Sequence, residues 1–369
     1  MRVGLAVLQV PWRAPLAAAH SAAASTRPLL LLELTADDGV RGYGEAAPLE
    51  GYDGVSLEEV AAALRRCEPL LAASDGEDRE RLLADCAALA GLPEALAAVD
   101  MALWDLAGRR AGQPVSSLLG AGAEAAVAVN ATIGAERPSQ AAVDAAAAAA
   151  AGFGCVKVKV ATGEDERRVA AVREAVGTGV LIRVDANGGW TVPAAVDSLQ
   201  PLREHGLELC EEPVHGLDEI SAVADAVAVP VAVDESARDP DVFARRRCDA
   251  ICLKIARCGG ISGLVRDAAT ARAAGYDVYI SSTLDGPLGI SAALHAAAAV
   301  LPDRHCGLAT LARFDAPDPV PPRDGMMSPP PGPGLGDDLV GWYDRALTAA
   351  RPQPPGSRDA PRGRRRGSA

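Results

Sequence analysis

Five chargeable residues, Lys159, Asp185, Glu211, Asp234 and Lys254, recur through the middle of the chain at steps of 26, 26, 23 and 20 residues. The three carboxylates offer hard oxygen donors, which suit a divalent cation, Mg²⁺ first and Mn²⁺ second, and not zinc. Without a cation such a cluster would repel itself. Lys157 stands two residues before Lys159, so on a strand both side chains point to the same face. Two ammonium groups side by side are expected to depress each other's pKa until one accepts a proton near neutrality. Together these groups describe the removal of a proton α to a carboxylate. The cation takes up charge developing on the oxygens of an enediolate while a lysine removes the carbon-bound proton. The second lysine, on the opposite side of the metal, donates or removes a proton on the other face or stabilises charge.

Each residue alone has a plainer reading. An Asp or Glu at a strand end is commonly a helix cap or a solvated rim charge, and alternating lysines are commonly the protected face of an edge strand. Three acids at the ends of successive apolar runs make the first reading poor. Lysines that interrupt a strand buried on both sides do not fit the second.

The elements that must position these residues are the short apolar runs GCVKVKV (154–160), VLIRVDA (180–186), LELCEEP (207–213), PVAVDES (230–236) and AICLKIA (250–256). With Ala-rich helical stretches between them, they read as successive β/α units of a parallel sheet. In a closed barrel the C-terminal ends of the strands meet at one face and bring distant residues together. Runs near 128, 156, 182, 209, 232, 252, 279 and 308 predict eight strands, from VAVNATI (127–133) to GLATL (307–311). Upstream, strands at 2–11, 28–35 and 40–48 precede helices at about 56–72, 77–90 and 93–111, an α+β order. The expected fold is α/β: a modified (β/α) barrel of TIM type, with seven to eight units over 113–311, behind an α+β capping domain over 1–112. The Pro-rich stretch at 312–349 is expected to return to the capping domain, and the Arg- and Pro-rich tail at 350–369 to be disordered.

The net charge of −13 argues against nucleic acid as a partner. The last nineteen residues hold six Arg and one Asp, so the remainder carries about −18. About half of the 369 residues are apolar, enough for a large core. None of the eight cysteines forms a CxxC pair, and Cys155, Cys210 and Cys252 lie inside strand-like runs as small apolar fillers, which fits a reduced, cytoplasmic setting. The basic, apolar start imitates a signal peptide but is cut by Pro11, Trp12 and Arg13. No apolar run reaches the length of a membrane span. The expected partner is a small carboxylate, with neither nucleic acid nor membrane, and self-association into a homo-oligomer stays open.

The segments VKVKV, RVDANGGW, CEEP, VAVDES and CLKIARCGGI, in this order and spacing, resemble the enolase superfamily and within it the muconate-lactonizing-enzyme subgroup. The resemblance runs to about residue 345. It implies that Asp185, Glu211 and Asp234 bind Mg²⁺, that Lys159 and Lys254 are the active-site lysines, and that Lys157 tunes Lys159. Arg183, Asn187, Glu212 and Glu235 are implied as their supports. DVYISST has no His where mandelate-racemase-like members carry one. ISSTLDGPLG (280–289) and CGLATL (306–311) resemble o-succinylbenzoate synthases, whose loss of water in menaquinone biosynthesis is the leading expectation, although LDGP departs from their pattern. The alternative is a dipeptide epimerase or N-acylamino acid racemase, without the Asp-x-Asp segment that many dipeptide epimerases carry. A muconate-type cycloisomerase and a barrel without catalysis rank below these. Ser281, Ser282, Gly307 and Tyr52 are the candidate substrate contacts. The loops at 16–27 and 47–55 are expected to close over the barrel, with His20 a surface residue of the first.

Overall fold

The computed structural model describes residues 1–13, 25–122, 125–315 and 318–337, together with 339, 341 and 344. Most of the loop at 16–27, His20 included, and the tail at 350–369 lie outside the described residues.

The chain opens with an antiparallel sheet of β1 (Arg2–Pro11), β2 (Thr26–Thr35) and β3 (Arg41–Ala46), in that order. The middle strand reads as a continuous leucine run because both its faces are covered. Leu29 and Leu31 join the core shared with the barrel, whereas Leu30, Leu32 and Leu34 pack beneath the capping helices. Those helices are α1 (Glu50–Asp53), α2 (Leu57–Ala72), α3 (Arg79–Ala90) and α4 (Pro93–Ala111), followed by the short α5 (Val115–Leu118). Ser56 and Glu59 form a capping box that starts α2. Pro93 opens α4, and Gly112, left-handed at φ 63°, ends it. Helix α4 lies so close to β3 that a Cβ on Gly44 would sit 1.8 Å from the Ala98 carbonyl oxygen.

The barrel strands are β4 (Val127–Ala128), β5 (Ala131–Ile133), β6 (Cys155–Lys159), β7 (Leu181–Asp185), β8 (Leu207–Glu211), β9 (Val231–Val233), β10 (Ala250–Leu253) and β11 (Asp277–Ile280). Strands β5 to β11 form one parallel sheet in chain order. The connecting helices are α6 (Pro138–Ala150), α7 (Asp165–Val176), α8 (Val192–Leu202), α9 (Leu217–Ala226) and α10 (Ile261–Ala273), and α11 (Pro287–Val300) follows β11. Two expected strands come out differently. VAVNATI splits, because β4 leaves the parallel sheet to pair antiparallel with β12 (Met326–Met327) of the return segment. GLATL forms no strand. Instead, Cys306 bridges to Val129 and Gly307 to Ser281, both parallel, and these two residues close the ring between its first and last strands. The approach there is tight, since a Cβ on Gly307 would stand 2.4 Å from Ser281 Oγ.

The return segment also meets α4 and α11. Leu335 N donates to the buried Asp105 at 2.7 Å, and Ser291 Oγ donates to Leu335 O at 2.5 Å. Beside them on α11, His295 accepts the Ser116 N–H at 3.1 Å, and burial pushes its pKa from 6.5 down to about 4. Over that interval the unfolded chain takes up a proton that the folded chain refuses, so stability falls with falling pH, by about 3 kcal/mol from this group alone. His295→Gln has no such proton to take up. Urea unfolding near neutrality and again near pH 4 should therefore show a smaller acid loss in the variant; an equal loss would mean that another group is responsible.

Candidate active site

Strands β6, β7 and β8 end in direct register, Lys159 opposite Asp185 and Asp185 opposite Glu211. Strands β9 and β10 end one residue before Asp234 and Lys254, so all five residues reach one rim. Lys254 follows the fourth strand after the one that carries Lys159, which in a closed ring is the opposite wall. The side chains of Asp185, Glu211 and Asp234 are 1%, 0% and 2% exposed.

Cations already stand between these acids. Lys157 Nζ lies 2.8 Å from Asp185 Oδ2 and 2.6 Å from Glu211 Oε1. Lys159 Nζ lies 2.6 Å from the same Asp185 oxygen and 2.6 Å from Asn187 Oδ1. On the far wall Lys254 Nζ donates to Asp234 Oδ2 at 2.7 Å. The Tyr52 hydroxyl, from the capping loop, donates to that oxygen at 2.7 Å and also contacts the Lys254 ammonium. Tyr279 OH donates to Glu211 Oε2 at 2.8 Å.

Burial alone would raise all three carboxyls. At Asp185 the two lysines outweigh it, and at Asp234 Lys254 and Arg257 do, so both acids are held well below the usual carboxylate range. Glu211 has Lys157 beside it but also Asp185 and Asp234, and burial leaves it raised. Lys157 corrects an expectation. Burial lowers its pKa, but Asp185 and Glu211 more than offset this, and the group ends well above the ordinary lysine value. The carboxylates within hydrogen-bond reach set its charge, and not the second lysine.

The supporting residues divide. Asn187 N donates to Asp185 Oδ1 at 3.0 Å, and its Nδ2 donates to Glu235 Oε1 at 2.9 Å. Burial, with Asp234 and Asp185 nearby, pushes the Glu235 carboxyl up to about 8. Glu212 accepts from Asp234 N at 2.7 Å, Ser236 N at 2.9 Å and Ser236 Oγ at 2.6 Å, which fixes the loop carrying Asp234. Asn187 and Glu212 have φ of 45° and 40°, a left-handed conformation that non-glycine residues adopt only when their surroundings impose it. Arg183 stands apart from this group. It pairs with Glu208 at 2.9 and 3.0 Å and donates to His305 O at 2.9 Å, a salt bridge lower in the barrel. Ser281 Oγ donates to Gly307 O at 3.4 Å, and Ser282 Oγ accepts from Asp285 N at 3.0 Å, so the rim itself uses both hydroxyls.

Three participants escaped the sequence reading. Tyr279 sits two residues before Ser281, on the face that period-two alternation assigns to the interior. Arg257, one helical turn beyond Lys254, donates to Asp234 O at 3.1 Å and lies 4.2 Å from the Tyr52 ring centre. Arg27 is buried and donates to Ala47 O at 2.5 Å, Pro48 O at 2.6 Å, and Thr283 O and Leu284 O at 3.2 Å, tying the second capping loop to the segment after β11.

The donor set fits a hard cation. Glu211 and Asp234 bring oxygens within 4.8 Å of one another, in a group that also holds Cys252 Sγ. Asp185 lies outside that group, its oxygens turned to Lys157, Lys159 and Asn187. The Lys157 ammonium held between Asp185 and Glu211 shows that these oxygens take a positive charge here. Burial keeps the Cys252 thiol well above its ordinary value, so no thiolate competes with them. Glu212→Ala releases the Asp234 loop and should weaken divalent-metal affinity by about 10–100-fold with the fold intact. Mn²⁺ titration followed by electron paramagnetic resonance reads this directly, and an unchanged affinity would remove Glu212 from the metal's support.

Known families match most of the chain. The mandelate racemase / muconate lactonizing enzyme N-terminal domain covers residues 2–120, and the enolase C-terminal domain-like family covers 140–340. The chain belongs to the enolase superfamily, and it is an enzyme. It is 34% identical over 282 residues to the L-Ala-D/L-Glu epimerase of Bacillus subtilis (strain 168), a match covering 73% of this chain and 77% of that protein. It is 37% identical over 217 residues to the o-succinylbenzoate synthase of Thermobifida fusca (strain YX), covering 54% of this chain and 66% of that protein. The crystal structure of the Enterococcus faecalis V583 dipeptide epimerase complexed with Mg and the dipeptide L-Leu-L-Tyr matches with a TM-score of 0.82 at 28% identity, covering 91% of this chain and 98% of that one.

Proposed function

We propose that the protein is a Mg²⁺-dependent racemase or epimerase that inverts the carbon α to the carboxylate of a dipeptide or N-acylamino acid. This reading stands ahead of the loss of water that the sequence placed first. The observation that carries it is the pair of lysines on opposite walls, Lys159 on β6 and Lys254 after β10, with the carboxylates between them. The epimerase similarity over nearly three quarters of the chain supports it.

Asp185, Glu211 and Asp234 would hold the Mg²⁺, which when bound would supply positive charge to the substrate carboxylate. Lys159, whose side chain is 39% exposed against 6% for Lys254, takes the α-proton from one face. The electron pair left on the α-carbon spreads into the carboxylate. Lys254 then delivers its own proton to the opposite face, a new C–H bond forms, and the configuration inverts. The lysines exchange roles for the other enantiomer. Lys157 keeps Asp185 charged, and Tyr52 holds Lys254 in line from the capping side.

Incubation with a dipeptide and N-acylamino acid library in D₂O should place a single deuterium at the α-carbon of the true substrate, read by mass spectrometry. Lys159→Ala should lower kcat by about 10²–10⁴ while Mn²⁺ still binds. Full activity in that variant would sink the two-base reading.

Elimination of water remains the second reading, favoured by the Ser281–Ser282 and Gly307–Leu311 pattern and the Thermobifida fusca relative. Consumption of the cyclohexadiene carboxylate precursor of o-succinylbenzoate, with no deuterium exchange across the library, would decide for it.

A further inference from the structure

Arg313 stands at the barrel rim with its charge unanswered. The residue is partly buried, and among the described residues its guanidinium has no hydrogen bond or ion pair. Burial lowers its pKa, and no carboxylate acts to raise it. A short turn, Leu311–Arg313, carries it. Thr310 Oγ1 donates to Ser282 Oγ at 3.1 Å, and the Arg313 carbonyl accepts from Arg13 N at 2.9 Å, which holds this turn between the end of β11 and the end of β1. Across the ring closure lies Gly134, the residue after β5. β5 pairs Thr132 with Lys157 and Ile133 with Val158, so the same register sets Gly134 beside Lys159 and, by period-two alternation, on the face that Lys157 and Lys159 share. Apart from its chain neighbours, a Cβ built on Gly134 would find one atom of the described residues within 4 Å, Arg313 Nη2 at 3.9 Å. The guanidinium thus overlooks open space about one strand spacing, roughly 4.8 Å, from the strand that carries Lys159.

A partly desolvated cation without a counter-charge is costly unless a ligand completes it, and the planar fork of a guanidinium matches a carboxylate. The stretch that leads to Arg313, GLATLA (307–312), holds no acid, so it offers nothing to a substrate ammonium. We propose that Arg313 is a specificity-determining residue that binds a second carboxylate of the substrate, carried on a short arm beside the carbon being inverted, with Gly134 leaving room for the arm. The inference rests on the reading that a carboxylate substrate lies between Lys159 and Lys254. An N-acyl group and an amino-acid side chain can each serve as the arm, and both present the same anion.

Titration NMR on the full chain with Mg²⁺ compares two pairs of ligands whose members differ in that charge: N-succinylglycine with N-butanoylglycine, and N-acetyl-L-glutamate with N-acetyl-L-norvaline. In one pair the dianion should bind about tenfold more tightly or better. Arg313→Gln should erase that preference while the monoanion's affinity and the Mn²⁺ affinity at the rim stay unchanged. Gly134→Val, which fills the space and keeps the charge, should reduce the preference as well. The pair that responds identifies the arm that reaches Arg313. Absent preference in both pairs, or a preference that survives Arg313→Gln, overturns the proposal. Exchange at the α-carbon in D₂O is read on the same ligands: binding through Arg313 without deuterium uptake would remove the racemase reading and leave the subsite standing.

Discussion

Three carboxylates buried within reach of one another have to be neutralised, and the rim of this barrel is built around how that is done. A buried charge without a partner is strongly destabilising, and removing one member of a buried pair exposes the fold to that cost. Lys157 answers it for Asp185 and Glu211 together, and Lys254 with Arg257 answers it for Asp234. This explains why β6, covered on both faces, carries two lysines where a barrel strand would otherwise be aliphatic. It also explains the small residues below them. Ala232, Ala250 and Cys252 leave room in the barrel for Tyr279 and for the long lysine stems.

The capping layer belongs to the same arrangement. β2 shares its two faces between the barrel core and the capping helices, so neither layer is complete without the other. Asp100 of α4 accepts from Ser262 N at 2.9 Å and Ser262 Oγ at 2.6 Å, which ties the capping helix to the start of α10. Arg238, beyond β9, is paired with Asp53 and Glu94 of the capping layer at 2.9 and 2.7 Å. Tyr52 sits next to Asp53, so this ionic seam also sets where its hydroxyl meets Lys254 and Asp234.

Much of this was legible in the sequence, for a local reason. Strand ends, the period-two placement of Lys157 and Lys159, and the spacing of Asp185, Glu211 and Asp234 are properties of a few neighbouring residues. The capping helices expected at about 56–72, 77–90 and 93–111 form at Leu57–Ala72, Arg79–Ala90 and Pro93–Ala111, again from local pattern. What escaped depends on contacts between distant segments. The ring closes through two residues, Cys306 and Gly307, too few to carry a strand pattern, and β4 is claimed by a partner almost two hundred residues away. The charge of Lys157 turned on distances to carboxylates that spacing alone does not give. Tyr279 and Arg257 lie in DVYISST and CLKIARCGGI, but nothing local marks which inward tyrosine meets Glu211 or which arginine packs on Tyr52.

Arg27 gathers the carbonyls of residues 47, 48, 283 and 284 onto one guanidinium. Three stretches that are remote in the chain are therefore joined at one side chain. Loss of that one guanidinium would leave four carbonyls, two on the capping side and two on the barrel side, short of a donor at once.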